Sequence, residues 1–172
     1  MFKIVASFLV LSGAIGYAYR LYFDHLERIE ELKKMEYYMG IMENEIQYSK
    51  ADVCEICRVM ILRTEGIYQE FFRKLYEEMK YNGGSSFVDL WKQHSELIRE
   101  IKTLRERDII LFQEYPPPVA FLDGGMQEKD SVRKREALRQ YREQEEEQLQ
   151  KNQKLYLTMG VMSGLFFVVL FF

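Results

Sequence analysis

The chain has 172 residues, 24 Lys and Arg against 27 Asp and Glu, and a net charge of -3, a size that suits one modest domain. A slightly acidic balance excludes a nucleic-acid surface, which needs Lys and Arg clustered on one face. The charges are unevenly placed: none falls from Ile4 to Tyr19, and none from Leu155 to Phe172.

The first element, residues 1–22, reads as a membrane-spanning helix. Lys3 and Arg20 can reach opposite interfaces, and Tyr17, Tyr19 and Tyr22 suit the headgroup boundary. Ser12, Gly13 and Gly16 give it a strip of small residues, the kind that lets membrane helices approach closely. A second reading is a secretory signal, with Lys3 as its charged start, Ile4 to Leu11 as its apolar stretch, and Gly16 and Ala18 near a cleavage point.

The polar middle, residues 23–154, carries helical periodicity throughout. From Leu21 to Tyr48 apolar side chains recur at Leu26, Ile29, Leu32, Met35, Tyr38, Met42 and Ile46, so this helix continues out of the first span. A second helix is expected over Asp52 to Arg63 and a third over Ile67 to Tyr81. Asn82-Gly-Gly-Ser-Ser86 then breaks the chain, and Ser85 or Ser86 caps a fourth helix through Phe87, Leu90, Trp91, Leu97 and Ile101. A short fifth helix covers Arg105 to Glu114. Pro116-Pro-Pro118 ends it by removing backbone donors, and Asp123-Gly-Gly125 extends the interruption.

The last polar helix runs from about Gln127 to Lys154, with Glu143, Glu145, Glu146 and Glu147 set against Arg135, Arg139, Arg142 and Lys151. Charge pairs along a solvated helix account for this pattern, and a partner-binding acidic patch is the alternative. Leu155 to Phe172 supplies 18 uncharged residues, near the roughly 20 that cross a bilayer. Within it Gly160-Val-Met-Ser-Gly164 is a GxxxG pattern, so Ser12, Gly16, Gly160 and Gly164 are candidate helix-packing positions, within the chain or in an oligomer. Arg20, Arg28, Lys33, Lys34, Arg139, Arg142, Lys151 and Lys154 flank the domain side, against Lys3 on the other. The domain should therefore face the cytoplasm, with both chain ends reaching across.

Cys54-Glu-Ile-Cys57 is the strongest chemical candidate, since paired thiols at this spacing serve redox sites and half of many zinc sites. A redox site of that kind needs a preceding strand, and zinc needs two further ligands. His25 and His94 stand singly, without a ligand spacing. Two buried thiols on one helix face is the expectation. Nucleophile elbows, phosphate loops and dinucleotide fingerprints are absent from the sequence, so no catalytic residue, metal or cofactor is assigned.

The expected fold is all-α: an antiparallel bundle of about six helices with one transmembrane helix at each end. Glu45-Ile-Gln-Tyr48, Ser86-Phe-Val-Asp-Leu-Trp91, the Glu-rich helix and the closing Met159-Gly-Val-Met-Ser-Gly-Leu165 lie, in that order, between or within two terminal spans. This layout resembles the stage III sporulation protein AB family over the whole chain. It departs from the family around Pro116 to Pro118 and Asp123-Gly-Gly125, where the family suggests a helix end and a Leu-Gly step. The resemblance implies a six-helix domain similar to those of type II secretion platform proteins. It also implies a non-enzymatic component of the mother-cell membrane, in the apparatus that joins mother cell and forespore. The implied partners are the bilayer, a stage III sporulation protein AA-like ATPase and other membrane proteins of that apparatus. Two readings from other classes stand beside it: a membrane-tethered coiled-coil scaffold and a membrane-bound thiol protein using Cys54 and Cys57.

Overall fold

The computed structural model describes residues 2–49, 52–81, 86–116 and 125–171. All of its regular structure there is helical, in six α-helices and one 3-10 segment, with no strand among the described residues. The order is α1 (Phe2–Ser49), α2 (Val53–Arg63), α3 (Gly66–Tyr81), α4 (Phe87–Ser95), the 3-10 segment (Glu96–Glu100), α5 (Glu106–Gln113) and α6 (Gly125–Phe171). Residues 82–85 and 117–124, which carry most of the expected Gly-Ser break, two of the three prolines and most of the Asp-Gly-Gly interruption, lie outside the described residues.

Local chemistry explains the boundaries. The Asp52 carboxylate accepts from the Val53 N–H at 2.7 Å, which starts α2, and the Thr64 hydroxyl donates to the Met60 carbonyl at 2.7 Å, which closes it. Gly66 opens α3 at φ +59, a left-handed conformation that a side chain would strain. Ser86, one of the two caps expected, occupies the N-cap position of α4 in extended backbone, and its hydroxyl makes no capping hydrogen bond. The fourth helix was expected to reach Ile101; its α-helical part ends at Ser95 and tightens into the 3-10 segment. The Ser95 hydroxyl donates to the Trp91 carbonyl, one turn back in its own helix, at 2.6 Å.

Two compact units divide the chain, residues 31–141 and, separately, residues 1–30 with 142–172. Residues 31–141 hold the apolar core. Leu32, Met35, Met39 and Met42 of α1 are buried there, three or four positions apart, as one helix face requires. Trp91 stands 4.8 Å from the ring of Phe71 and 5.0 Å from that of Phe112, and its indole N–H donates to the Phe112 carbonyl at 2.8 Å. The polar handle of the indole is thus satisfied inside the apolar core. From α6, Leu138 is buried and Tyr141 lies under the Arg107 guanidinium at 4.8 Å.

The terminal unit is formed by the outer stretches of α1 and α6. Among its described residues, Ala18, Arg28 and Ile29 of α1 and Glu145 and Leu149 of α6 are buried. Its two helices are continuous with the polar ones, since α1 and α6 each run to within a residue of a chain end. No helix, over the described residues, is long and apolar enough to cross a membrane. The transmembrane helices expected at 1–22 and 155–172 are therefore not supported by the structure.

Candidate functional site

The paired thiols sit on α2, where Asp52 caps the first turn and the apolar face carries Ile56 and Met60 inward. Cys57 is buried and Cys54 half-buried, and neither is in a disulfide. Burial pushes the Cys57 thiol up to about 12, with Cys54 and Asp52 adding to the shift, and burial also raises Cys54. Both thiols are therefore protonated near neutral pH, unlike the low-pKa thiolate of a nucleophilic cysteine. Among the described residues no group of three or more His, Cys, Asp and Glu is arranged to hold a metal ion.

The histidines each face a carboxylate on another helix or segment. His94, buried at the end of α4, places Nε2 3.2 Å from Glu78 Oε1 of α3. His25 of α1 places Nε2 3.2 Å from Glu145 Oε2 of α6. Glu145 also accepts from Arg28 Nη1 at 2.7 Å, a contact spanning 117 residues of sequence. Arg28 is 1 % exposed and Glu145 9 %, so this charge pair lies inside the terminal unit.

A second buried carboxylate lies in residues 31–141. Glu43 of α1 meets Arg135 Nε of α6 at 2.9 Å and the Tyr115 hydroxyl at 3.1 Å; that hydroxyl also lies 3.2 Å from the Met39 carbonyl. Gly40, one turn earlier on α1, leaves room for the guanidinium, since a Cβ there would stand 3.2 Å from Arg135 Nη1. Burial pushes the Glu43 carboxyl up, against the pull of Arg135 and of the Tyr115 hydroxyl. Each cluster joins helix positions remote in sequence, which is the work of positioning.

The residues singled out from the sequence fall into two groups. Ser12 and Gly16 are on exposed parts of α1, where the Ser12 hydroxyl donates to the Leu9 carbonyl at 3.2 Å and a Cβ at Gly16 would meet nothing within 4 Å. Gly160 and Gly164 belong to α6, and their surroundings lie outside the described residues. Along the acidic run, Glu143 and Glu147 are exposed, Glu146 is half-buried against Arg142 at 2.9 Å, and Glu147 pairs with Lys151 at 3.1 Å. Glu145 is the member turned inward. Arg28, Glu43, Arg135 and Tyr115 were not singled out as site residues. The available signal was a charge in step with the apolar face: Arg28 lies four residues before Leu32, and Glu43 four after Met39.

A family model for stage III sporulation protein AB matches residues 3–172. No curated protein and no solved structure matches the chain.

Proposed function

The chain belongs to the stage III sporulation protein AB family, and from that membership we propose that it is a non-enzymatic, two-pass membrane component of the apparatus joining mother cell and forespore. In this reading it docks a stage III sporulation protein AA-like ATPase, on the mother-cell cytoplasmic side, to the membrane proteins of the same assembly. The observation that carries the reading is that polar helices α1 and α6 run unbroken into the charge-free ends of the chain. Large apolar residues in those ends are exposed, among them Leu9, Tyr17, Met159, Phe166 and Val169, which is costly in water and favourable in a bilayer. The raised thiols of Cys54 and Cys57 support docking over thiol chemistry.

On this reading the exposed carboxylates Glu143 and Glu147 belong to the face that meets a basic partner, and their contribution is screened by salt. The test is retention of the ATPase-like partner by the full chain in detergent, at low and high ionic strength. Retention that weakens with salt supports the electrostatic contact; retention that ignores salt removes it. ATP turnover by this chain alone overturns the docking reading. A reporter fused after Phe172 should be active outside the cytoplasm, and cytoplasmic activity overturns the two-pass arrangement.

A further inference from the structure

The terminal unit contains a buried charge pair where a helix pair would ordinarily bury apolar side chains. Among the described residues, Ala18, Arg28 and Ile29 of α1 and Glu145 and Leu149 of α6 are buried, and His25 is half-buried beside them. Ala18 and His25 are one heptad apart, and Glu145 and Leu149 follow at the spacing of a seam between two helices. Apolar burial along such a seam is non-directional, and a shift of one turn is opposed only through the fit of the packed side chains. A guanidinium and a carboxylate at 2.7 Å do not accept it, because a slip leaves both charges buried and apart. Glu145 additionally faces His25 Nε2 at 3.2 Å, so its carboxylate is bracketed by two consecutive turns of α1.

We infer that the Arg28–Glu145 pair is a register pin: it selects one axial alignment of α1 against α6 and so fixes the level of one charge-free chain end against the other. This goes beyond the docking reading and does not depend on it. Such a device trades stability for specificity, the use for which buried polar pairs between helices are best attested.

The pin makes a geometric prediction. α1 runs out of the terminal unit and α6 runs into it, so moving one heptad outward from His25 and from Glu145 brings Ala18 opposite Asn152. The full chain in detergent, with Cys54→Ala and Cys57→Ala, receives Ala18→Cys and Asn152→Cys, and disulfide formation between them is followed under mild oxidation. With the pin intact the cross-link should form within one chain. Arg28→Glu, which sets two carboxylates against each other, should lower its yield about fivefold or more. The double reversal Arg28→Glu with Glu145→Arg should restore it, although each change alone inverts a buried charge. Helicity measured on the same samples separates slip from unfolding, and the double reversal remains decisive where a single variant fails to fold. An unchanged yield in Arg28→Glu overturns the pin, as does a double reversal that is helical yet does not recover the cross-link.

Discussion

In residues 31–141 the helices meet through rings and aliphatic side chains packed around Trp91, whereas the buried set of the terminal unit is a guanidinium, a carboxylate and three apolar side chains, Ala18, Ile29 and Leu149, among the described residues. The two interiors divide the labour of folding. Apolar burial supplies most of the free energy and is tolerant of small shifts. A buried ion pair adds little net stability, because the cost of desolvating two charges offsets their attraction, but it penalises every arrangement that separates them. The cluster around Trp91 supplies stability, and the Arg28–Glu145 pair supplies alignment.

Substitutions can break that contrast, and the largest effect is expected at Trp91. Trp91→Ala removes the ring between Phe71 and Phe112 and should destabilise the protein by about 4 kcal/mol in chemical denaturation followed by circular dichroism. A loss below about 1 kcal/mol would mean the aromatic cluster is not the stabilising centre.

Next is the buried carboxylate inside the apolar region. Arg135→Ala leaves Glu43 without its cation and should cost about 2 kcal/mol. The pH dependence has a definite sign. Because the folded carboxyl is raised above its ordinary value, the native state takes up its proton first, and stability from this group is present below the ordinary carboxylate range and lost as pH rises through the folded value. Glu43→Gln should remove that component from a plot of stability against pH. A plot that is superimposable on the wild type would show that Glu43 is not desolvated.

Backbone strain gives a smaller test. Gly66→Ala places a side chain at φ +59 and should cost about 1 kcal/mol, without a steric clash because a Cβ there meets nothing within 4 Å. Smallest of all is the exposed network in which Arg99 bridges Glu96 and Glu106, and Gln113 donates to Glu96 at 2.7 Å. Arg99→Ala should leave the melting temperature unchanged at physiological salt, since exposed pairs are screened. A clear loss there would blur the distinction between buried and surface charge.

Much of the helical layout was legible because periodicity and caps are local. The spacing of Leu32, Met35 and Met42 marked the buried face of α1, and Asp52 marked the start of α2. The early end of α4 was not legible, because Leu97 and Ile101 continue the apolar period past Ser95. The candidate site was the least legible part. Whether Arg28, Glu43 and Glu145 lie in solvent or in the interior depends on residues up to 117 positions away, and the local sign, a charge in step with an apolar face, does not name the partner. Within the run from Glu143 to Glu147 four carboxylates look equivalent in sequence; helix rotation turns Glu145 inward and leaves Glu143 and Glu147 facing water.

Trp91 is the single tryptophan of the chain, wrapped by Phe71, Phe72 and Phe112 within residues 31–141. Intrinsic fluorescence excited at the indole band therefore reports one region and is blind to the other. Emission should redden when the aromatic cluster opens, while slippage or separation of α1 and α6 in the terminal unit leaves the signal flat. A fluorescence melt and a helicity melt of the same sample that fail to coincide would thus resolve the two units optically, with no label added to the protein.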